Sequence, residues 1–202
     1  MSRTYTLSII PKGRLYLILV GLLINSIIFS SAFTFFDSFN AFSDNFLGES
    51  EDTFVIYNQL ANTVFTGTVP TYLARLISEI PGVYASPEVL VASLTIDGEI
   101  LTLRGVSEEF FELQELEKVD GENVPSMGEC LLGIRAYKRI GKEIGEYITL
   151  RSTQEPVLYE FRVTGVYRSN SPLDDEVIVP IDYARSMNGL PLESSTLIRV
   201  KL

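Results

Sequence analysis

A run of twenty-two residues without a charge, Leu15 to Phe36 (LYLILVGLLINSIIFSSAFTFF), constrains this chain more than any other feature. As a helix it would be roughly 33 Å long at 1.5 Å per residue, and a bilayer core is about 30 Å thick. It is therefore expected to cross a membrane once. Arg3, Lys12 and Arg14 precede it with no acid among them. Asp37, Asp44, Glu49, Glu51 and Asp52 follow it with no base among them. Basic flanks favour the cytoplasmic side. The expectation is a cell-membrane protein with residues 1–14 as a cytoplasmic leader, 15–36 as the transmembrane helix, and everything after Phe36 extracytoplasmic.

A cleaved signal peptide is the rival reading, with Ser30-Ser31-Ala32 as its cleavage site and a mature N-terminus near Phe33. Two features favour a retained anchor. The apolar run continues past Ala32, and Phe35, Phe39, Phe42 and Phe46 then recur at spacings of 4, 3 and 4, a heptad-type stripe. The alternative for Phe35 and Phe39 is an aromatic belt at the membrane interface. The stripe reads as a helical stalk over 37–50 whose phenylalanines contact another helix. No second apolar run of that length follows in these residues, so another chain or a second copy of this one would supply the contact, alongside membrane lipid.

Composition narrows the remaining 150 or so residues, enough for one domain or two small lobes. A formal net charge of −10 argues against nucleic acid, which needs a basic footprint. Cys130 is the single cysteine, so no intrachain disulfide forms, and its apolar setting suggests a buried, inert thiol. The chain has no histidine, which removes the commonest base and metal ligand.

Past an acidic break at Gly48 to Asp52, Phe54 to Tyr57 reads as a strand. Pro70 opens a helix whose apolar face is Tyr72, Leu73, Leu76, Ile77 and Ile80, and Pro81-Gly82 ends it. Residues 83–96 and 99–104 read as strands joined at Asp97-Gly98, a hairpin signal. Asp182 would cap a helix ending at Gly189, and 196–202 reads as a final strand. Strand, helix, two strands, helix and strand make β-α-β-β-α-β, so the fold class is α+β with a ferredoxin-like split βαβ. The ferredoxin-like lobe is then 51–106 plus 177–202.

Residues 107–176 form the insertion, expected as a small β-rich lobe. Ser107 is placed to cap a short helix carrying Phe110, Phe111, Leu113 and Leu116, followed by a loop from Asp120-Gly121 to Gly128. Tyr147 to Ser152 and Val157 to Tyr167 read as an antiparallel pair, and Ser169 to Asp175 as an exposed polar loop. From Arg135 to Arg168 seven bases stand against four acids. Glu108, Glu109, Glu112, Glu115, Glu117, Asp120 and Glu122 are an acidic run, most simply a wet helix face and loop. Asp174, Asp175 and Glu176 could hold Ca²⁺ through oxygens, but lack EF-hand spacing, and a solvated loop is the simpler reading.

An ordered set of short words carries a resemblance. Ile80-Pro81-Gly82-Val83 is followed by Leu103-Arg104-Gly105-Val106, Leu132-Gly133-Ile134 and Ile144-Gly145-Glu146-Tyr147-Ile148-Thr149-Leu150. Phe161-Arg162-Val163-Thr164-Gly165-Val166-Tyr167, Val177-Ile178-Val179-Pro180-Ile181, Ala184-Arg185 and Ile198-Arg199-Val200-Lys201 complete it. Over about 150 residues after one membrane helix, the chain resembles the extracytoplasmic core domain of MacB/FtsX/LolC-type ABC transporter permeases. Gly82, Gly105, Gly133, Gly145 and Gly165 are expected as structural turn positions, where a side chain would clash or φ must be positive.

The resemblance implies a two-lobe domain on a stalk, coupling the ATP-driven motion of an ABC ATPase subunit to export, extraction or signalling, and meeting an extracytoplasmic substrate or adaptor protein. Members of that family carry further membrane helices beyond this domain, so the chain is either part of a longer permease or a short relative. With no Walker-type loop and no G-x-S-x-G, the reading is not an enzyme, with no cofactor and no metal. The alternative is a stand-alone membrane-anchored binding or adaptor module.

Overall fold

The computed structural model describes residues 12–47, 52–61 and 63–202, with backbone alone at 12, 14 and 36–47. It divides into two units, one ending at Ser43 and one running from Asp44 to Leu202. The first holds all but the last turn of the long helix α1, Lys12–Leu47. Its stretch Leu15–Phe35 is long and apolar enough to cross a membrane. The polar side chains inside it bond back along the helix: Asn25 Nδ2 donates to the Gly21 carbonyl and Thr34 Oγ1 to the Ser30 carbonyl, both at 3.0 Å. That satisfies groups hydrocarbon could not.

The second unit begins with β1 (Thr53–Tyr57), β2 (Val69–Pro70), α2 (Tyr72–Ser78), β3 (Tyr84–Thr95) and β4 (Ile100–Val106). Next come α3 (Phe110–Leu113), β5 (Glu117–Gly121), β6 (Glu129–Gly133), α4 (Ile134–Ile140), β7 (Tyr147–Ser152) and β8 (Leu158–Arg168). A 3-10 turn (Pro172–Asp175) leads into β9 (Glu176–Pro180), α5 (Ile181–Asn188), β10 (Ser194–Ser195) and β11 (Leu197–Lys201). The fold is α+β, with a mixed nine-stranded sheet and a small β10-β2 pair.

The split βαβ expected from the element order is realised in a different strand order. The sheet begins β1-β11-β3-β4, and every neighbouring pair in that run is antiparallel. So β1 and β3, joined through α2, are parallel with β11 between them. A ferredoxin-like sheet puts its first and third strands at the centre, whereas here the fourth and second hold it. The second helix does not follow β4 directly either. β9 first adds to β4 in parallel register, and α5 then crosses back to β11. Leu73, Ala74 and Ile77 of α2 pack on Ala85, Ile198 and Val200, which lie on one face of β3 and β11.

Segment 107–176 shares this sheet. β4 pairs β9, β9 pairs β6, β6 pairs β8, β8 pairs β7, and β7 returns to β3 through Ser93–Ser152, Leu94–Arg151 and Thr95–Leu150. With the β3-β4 pairing, six strands close into a ring. Alternation then sends every second side chain inward. The interior takes two residues from each strand: Val89 and Val91, Leu101 and Leu103, Cys130 and Leu132, Ile148 and Leu150, Phe161 and Val163, Val177 and Val179. All twelve are buried. Ala136 of α4 and Ala184 and Met187 of α5 join the same cluster.

Local expectations differ from the structure at four places. Ser107 does not cap; its hydroxyl meets that of Ser86, and α3 is a single turn. Asp120 and Gly121, expected to open a loop, instead end β5, Glu117–Gly121, which pairs with β8. Pro70 lies in β2, and α2 starts at Tyr72. Ser169 to Asp175 is no exposed loop: Ser171 accepts from Leu173 N at the start of the 3-10 turn, and Leu173 and Asp174 are buried.

Candidate functional site: a buried chain of four charges

Four apolar strand stretches each contain one charge: Glu88 in PEVLV, Arg104 in LTLRGV, Glu176 in EVIVP and Arg199 in LIRV. Each charge alternates with ring-facing or core residues, so all four lie on the opposite face of the adjacent strands β11, β3, β4 and β9. Registry brings them together, because Leu197 stands opposite Glu88, Leu90 opposite Arg104, and Thr102 opposite Glu176. Arg199 Nε donates to Glu88 Oε1 at 2.6 Å. Arg104 Nη1 donates to Glu88 Oε2. Arg104 then grips Glu176 with two bonds, Nε to Oε2 at 2.5 Å and Nη2 to Oε1 at 2.9 Å. The side chains are at most 1 % exposed. The chain of charges is alternating and neutral in sum.

Burial alone would push the Glu88 carboxyl up, but the guanidiniums of Arg199 and Arg104 outweigh it and hold it below the usual carboxylate range. Burial likewise works against a charged Arg104, and Glu176 and Glu88 more than restore it, so its pKa is raised. Tyr167 is pushed up by burial first and by Glu176 second, and its neutral hydroxyl donates to the Leu173 carbonyl at 2.7 Å. No group here is both reactive and reachable by solvent. The arrangement fixes strand register and ties the 3-10 turn to the sheet. It binds nothing. Among the described residues, no buried side-chain polar atom lacks a partner.

The acids next to this chain are drawn apart. Asp174 accepts from Ser169 N at 2.6 Å and from Arg135 Nη1 at 3.2 Å. Asp175 accepts from Arg135 Nε at 2.7 Å and Arg139 Nη1 at 3.2 Å, while Glu176 turns to Arg104. Asp174 and Asp175 share Arg135 while Glu176 pairs with Arg104, and among the described residues no group of three or more metal-ligating side chains is placed to hold an ion. Cys130 is fully buried, and burial, then the nearby Glu129, pushes its thiol up.

The residues singled out in the sequence do not form one site. Phe35 is exposed on α1, and the side chains of Phe39, Phe42 and Phe46 lie outside the described residues. Gly82 and Gly145 have φ of +81° and +96°. Gly105, Gly133 and Gly165 are close-approach positions instead: a Cβ there would collide with Ala184 Cβ, the Asp174 backbone and the Glu122 carbonyl. Sequence reasoning does not single out the buried charges as a set. Their signal was available: a charge set between apolar residues inside a strand, as in each of these four, has to find a partner across the sheet.

The sequence model described as the MacB-like periplasmic core domain matches residues 16–202. Among solved structures, the chain is similar to the periplasmic region of MacB from Actinobacillus actinomycetemcomitans, at 15 % identity and a TM-score of 0.54, covering 75 % of each chain. It is also similar to the extracellular domain of the noncanonic ABC-type transporter YknZ from Gram-positive bacteria, at 16 % identity and a TM-score of 0.49, covering 74 % of this chain and 81 % of that one. No curated protein matches it significantly.

Proposed function

The chain belongs to the MacB-like periplasmic core domain family, the extracytoplasmic part of MacB/FtsX-type ABC transporter permeases, and we propose that it couples ATP-driven motion of a partner ATPase to work at the outer face. The observation that carries this reading is the unbroken match from residue 16, inside the apolar helix, to residue 202. A helix able to cross a membrane leads straight into the family's core domain.

In this proposal residues 1–14 are cytoplasmic, 37–50 form the stalk, and Phe35, Phe39, Phe42 and Phe46 meet another permease helix or a second copy. Rigid-body motion passes up the stalk into a porter lobe, 51–106 with 177–202, and an inserted lobe, 107–176. The transport cargo or adaptor meets these lobes outside the membrane. Support for transmission without a hinge comes from the sheet: β3 and β4 belong both to the open run beside β11 and to the closed ring.

The experiment is a gentle detergent pull-down of the tagged full-length protein from its native membranes. Co-purification of an ABC ATPase is expected. Recovery without one, alone or with an outer-surface protein only, would favour a stand-alone anchored module. Serine at the four stalk phenylalanines should abolish helix pairing, as read by cross-linking in the membrane; pairing and transport left intact would remove the stalk from the mechanism.

A further inference from the structure

Two cavities lie side by side along residues 107–118 and 122–127 and share Phe111 and Val124 as a wall. One, of about 610 Å³, runs from the end of β4 over Pro125 and Met127 to the start of α5. The other, of about 690 Å³, runs from Phe111 past Leu116 and β5 to Tyr167. Together they form one groove with a low ridge across it. Its apolar surface is open: Met127 is 69 % exposed and Val124 45 %.

The rim is predominantly acidic. Glu108, Glu109 and Asp182 border the first cavity. Glu112, Glu115, Glu117 and Glu122 border the second, where Lys118 is the sole base. Among the described residues, only Glu117 and Asp182 of these seven acids are held in ion pairs, by Arg168 and Arg185. Exposed apolar side chains ringed by polar ones mark interaction surfaces. Uncompensated acids around them select the charge of the occupant. Anionic lipid headgroups and nucleic acid are repelled.

We propose that this groove docks a cationic amphipathic segment of a partner protein, whose apolar side chains seat against Phe111, Val124 and Met127 while its lysines or arginines face the rim glutamates. The mode is helix-in-groove: apolar anchors at i, i+3 or i+4 and i+7 can straddle the Phe111–Val124 ridge. The proposal needs only the groove and does not depend on the chain's role in transport.

The test uses the full chain in phosphatidylcholine nanodiscs and fluorescein-labelled helical peptides of about 18 residues, five turns. One is an amphipathic Leu/Lys peptide, one a scramble of it, and one has Glu at every Lys. Anisotropy is read with empty nanodiscs subtracted. The Leu/Lys peptide should bind about tenfold or more tightly than the scramble, and the Leu/Glu peptide should not bind. Two variants separate the groove from general attraction to an acidic protein. Met127→Asp adds negative charge but spoils the apolar floor, and should weaken binding about tenfold. Glu112→Lys with Glu115→Lys should also weaken it. Both sites are exposed, and circular dichroism confirms folding. Unchanged or tighter binding by Met127→Asp, unchanged binding by the double variant, or equal binding of the scramble would each overturn the proposal.

Discussion

The two faces of β3, β4 and β9 are built on opposite chemistry. Toward the ring they present Val89, Val91, Leu101, Leu103, Val177 and Val179, all buried. On the other face, one residue away along the same strands, they present Glu88, Arg104 and Glu176, equally buried. The apolar face is held by a non-directional effect that grows with area, so it tolerates repacking. The charged face is directional. A one-residue slip of any strand would carry a charge into the ring and leave its partners alone. The apolar face thus supplies stability and the charged face selects register.

Breaking the charged face at its centre should have the largest effect. Arg104 is bonded to two buried carboxylates, and Arg104→Met strands Glu176 and leaves Glu88 with Arg199 alone. Removing one partner of a buried pair costs about 3–5 kcal/mol, and this variant should lie at the upper end, read as thermal unfolding of the chain in detergent. Replacing Glu88, Arg104, Glu176 and Arg199 together by apolar residues of similar volume should cost far less. If the quadruple variant is as damaged as the single one, register selection is not what the charges do.

Acid should reach the same network. The folded Glu88 pKa lies below its unfolded value, so its contribution is full above about pH 4.3 and is lost as pH falls through the lower, folded value. The gap in melting temperature between the native chain and Glu88→Gln should therefore be constant near neutrality and narrow in acid. A gap that widens in acid would reverse this sign.

On the apolar face the matching cut is Phe161→Ala. Phe161 is fully buried, and its ring meets that of Tyr183 edge-on with centroids 5.1 Å apart. The expected loss is about 3–5 kcal/mol. Phe161→Leu should recover most of it, because volume and apolarity are nearly kept. Arg104→Lys should recover little, because an ammonium cannot span two carboxylates as a guanidinium does.

The same contrast explains what could be read in advance. Alternation and turn residues are local, so β3 and β4 could be placed within two residues from Asp97-Gly98 and their flanks, and α5 from its closing Gly189 with φ +69°. Ring closure is not local. It depends on three residue pairs between β3 and β7, separated by more than fifty residues, and nothing in either strand names the other. Strand order failed for the same reason: element order fixes directions but leaves open which strands sit at the centre. The buried charges were legible one at a time as misfits in apolar strands, while their pairing needed the register.

Close approach between α5 and the sheet gives a smaller, sharper test. Gly105 leaves room for Ala184, so Gly105→Ala should overpack the interface and cost about 1–3 kcal/mol. Ala184→Gly in the same chain should relieve the clash. Its own cost for glycine in a helix is about 1 kcal/mol, so recovery is partial. Additive losses in the double variant would mean that the two residues do not meet.

The smallest effect belongs to charges outside the network. Arg168 Nη1 lies 3.5 Å from Glu117 Oε2, with side chains 41 % and 63 % exposed. The pair bridges β8 and β5, as Arg104 bridges β3, β4 and β9, yet water competes for both partners. Glu117→Gln should change stability by about 0–1 kcal/mol, and by less in high salt. Salt should leave the Arg104→Met loss nearly unchanged, because buried pairs are screened far less. Measuring both variants at low and high ionic strength thus compares one interaction type in two settings. If the Glu117 and Arg104 losses shrank in proportion with salt, burial would not be what sets the two apart.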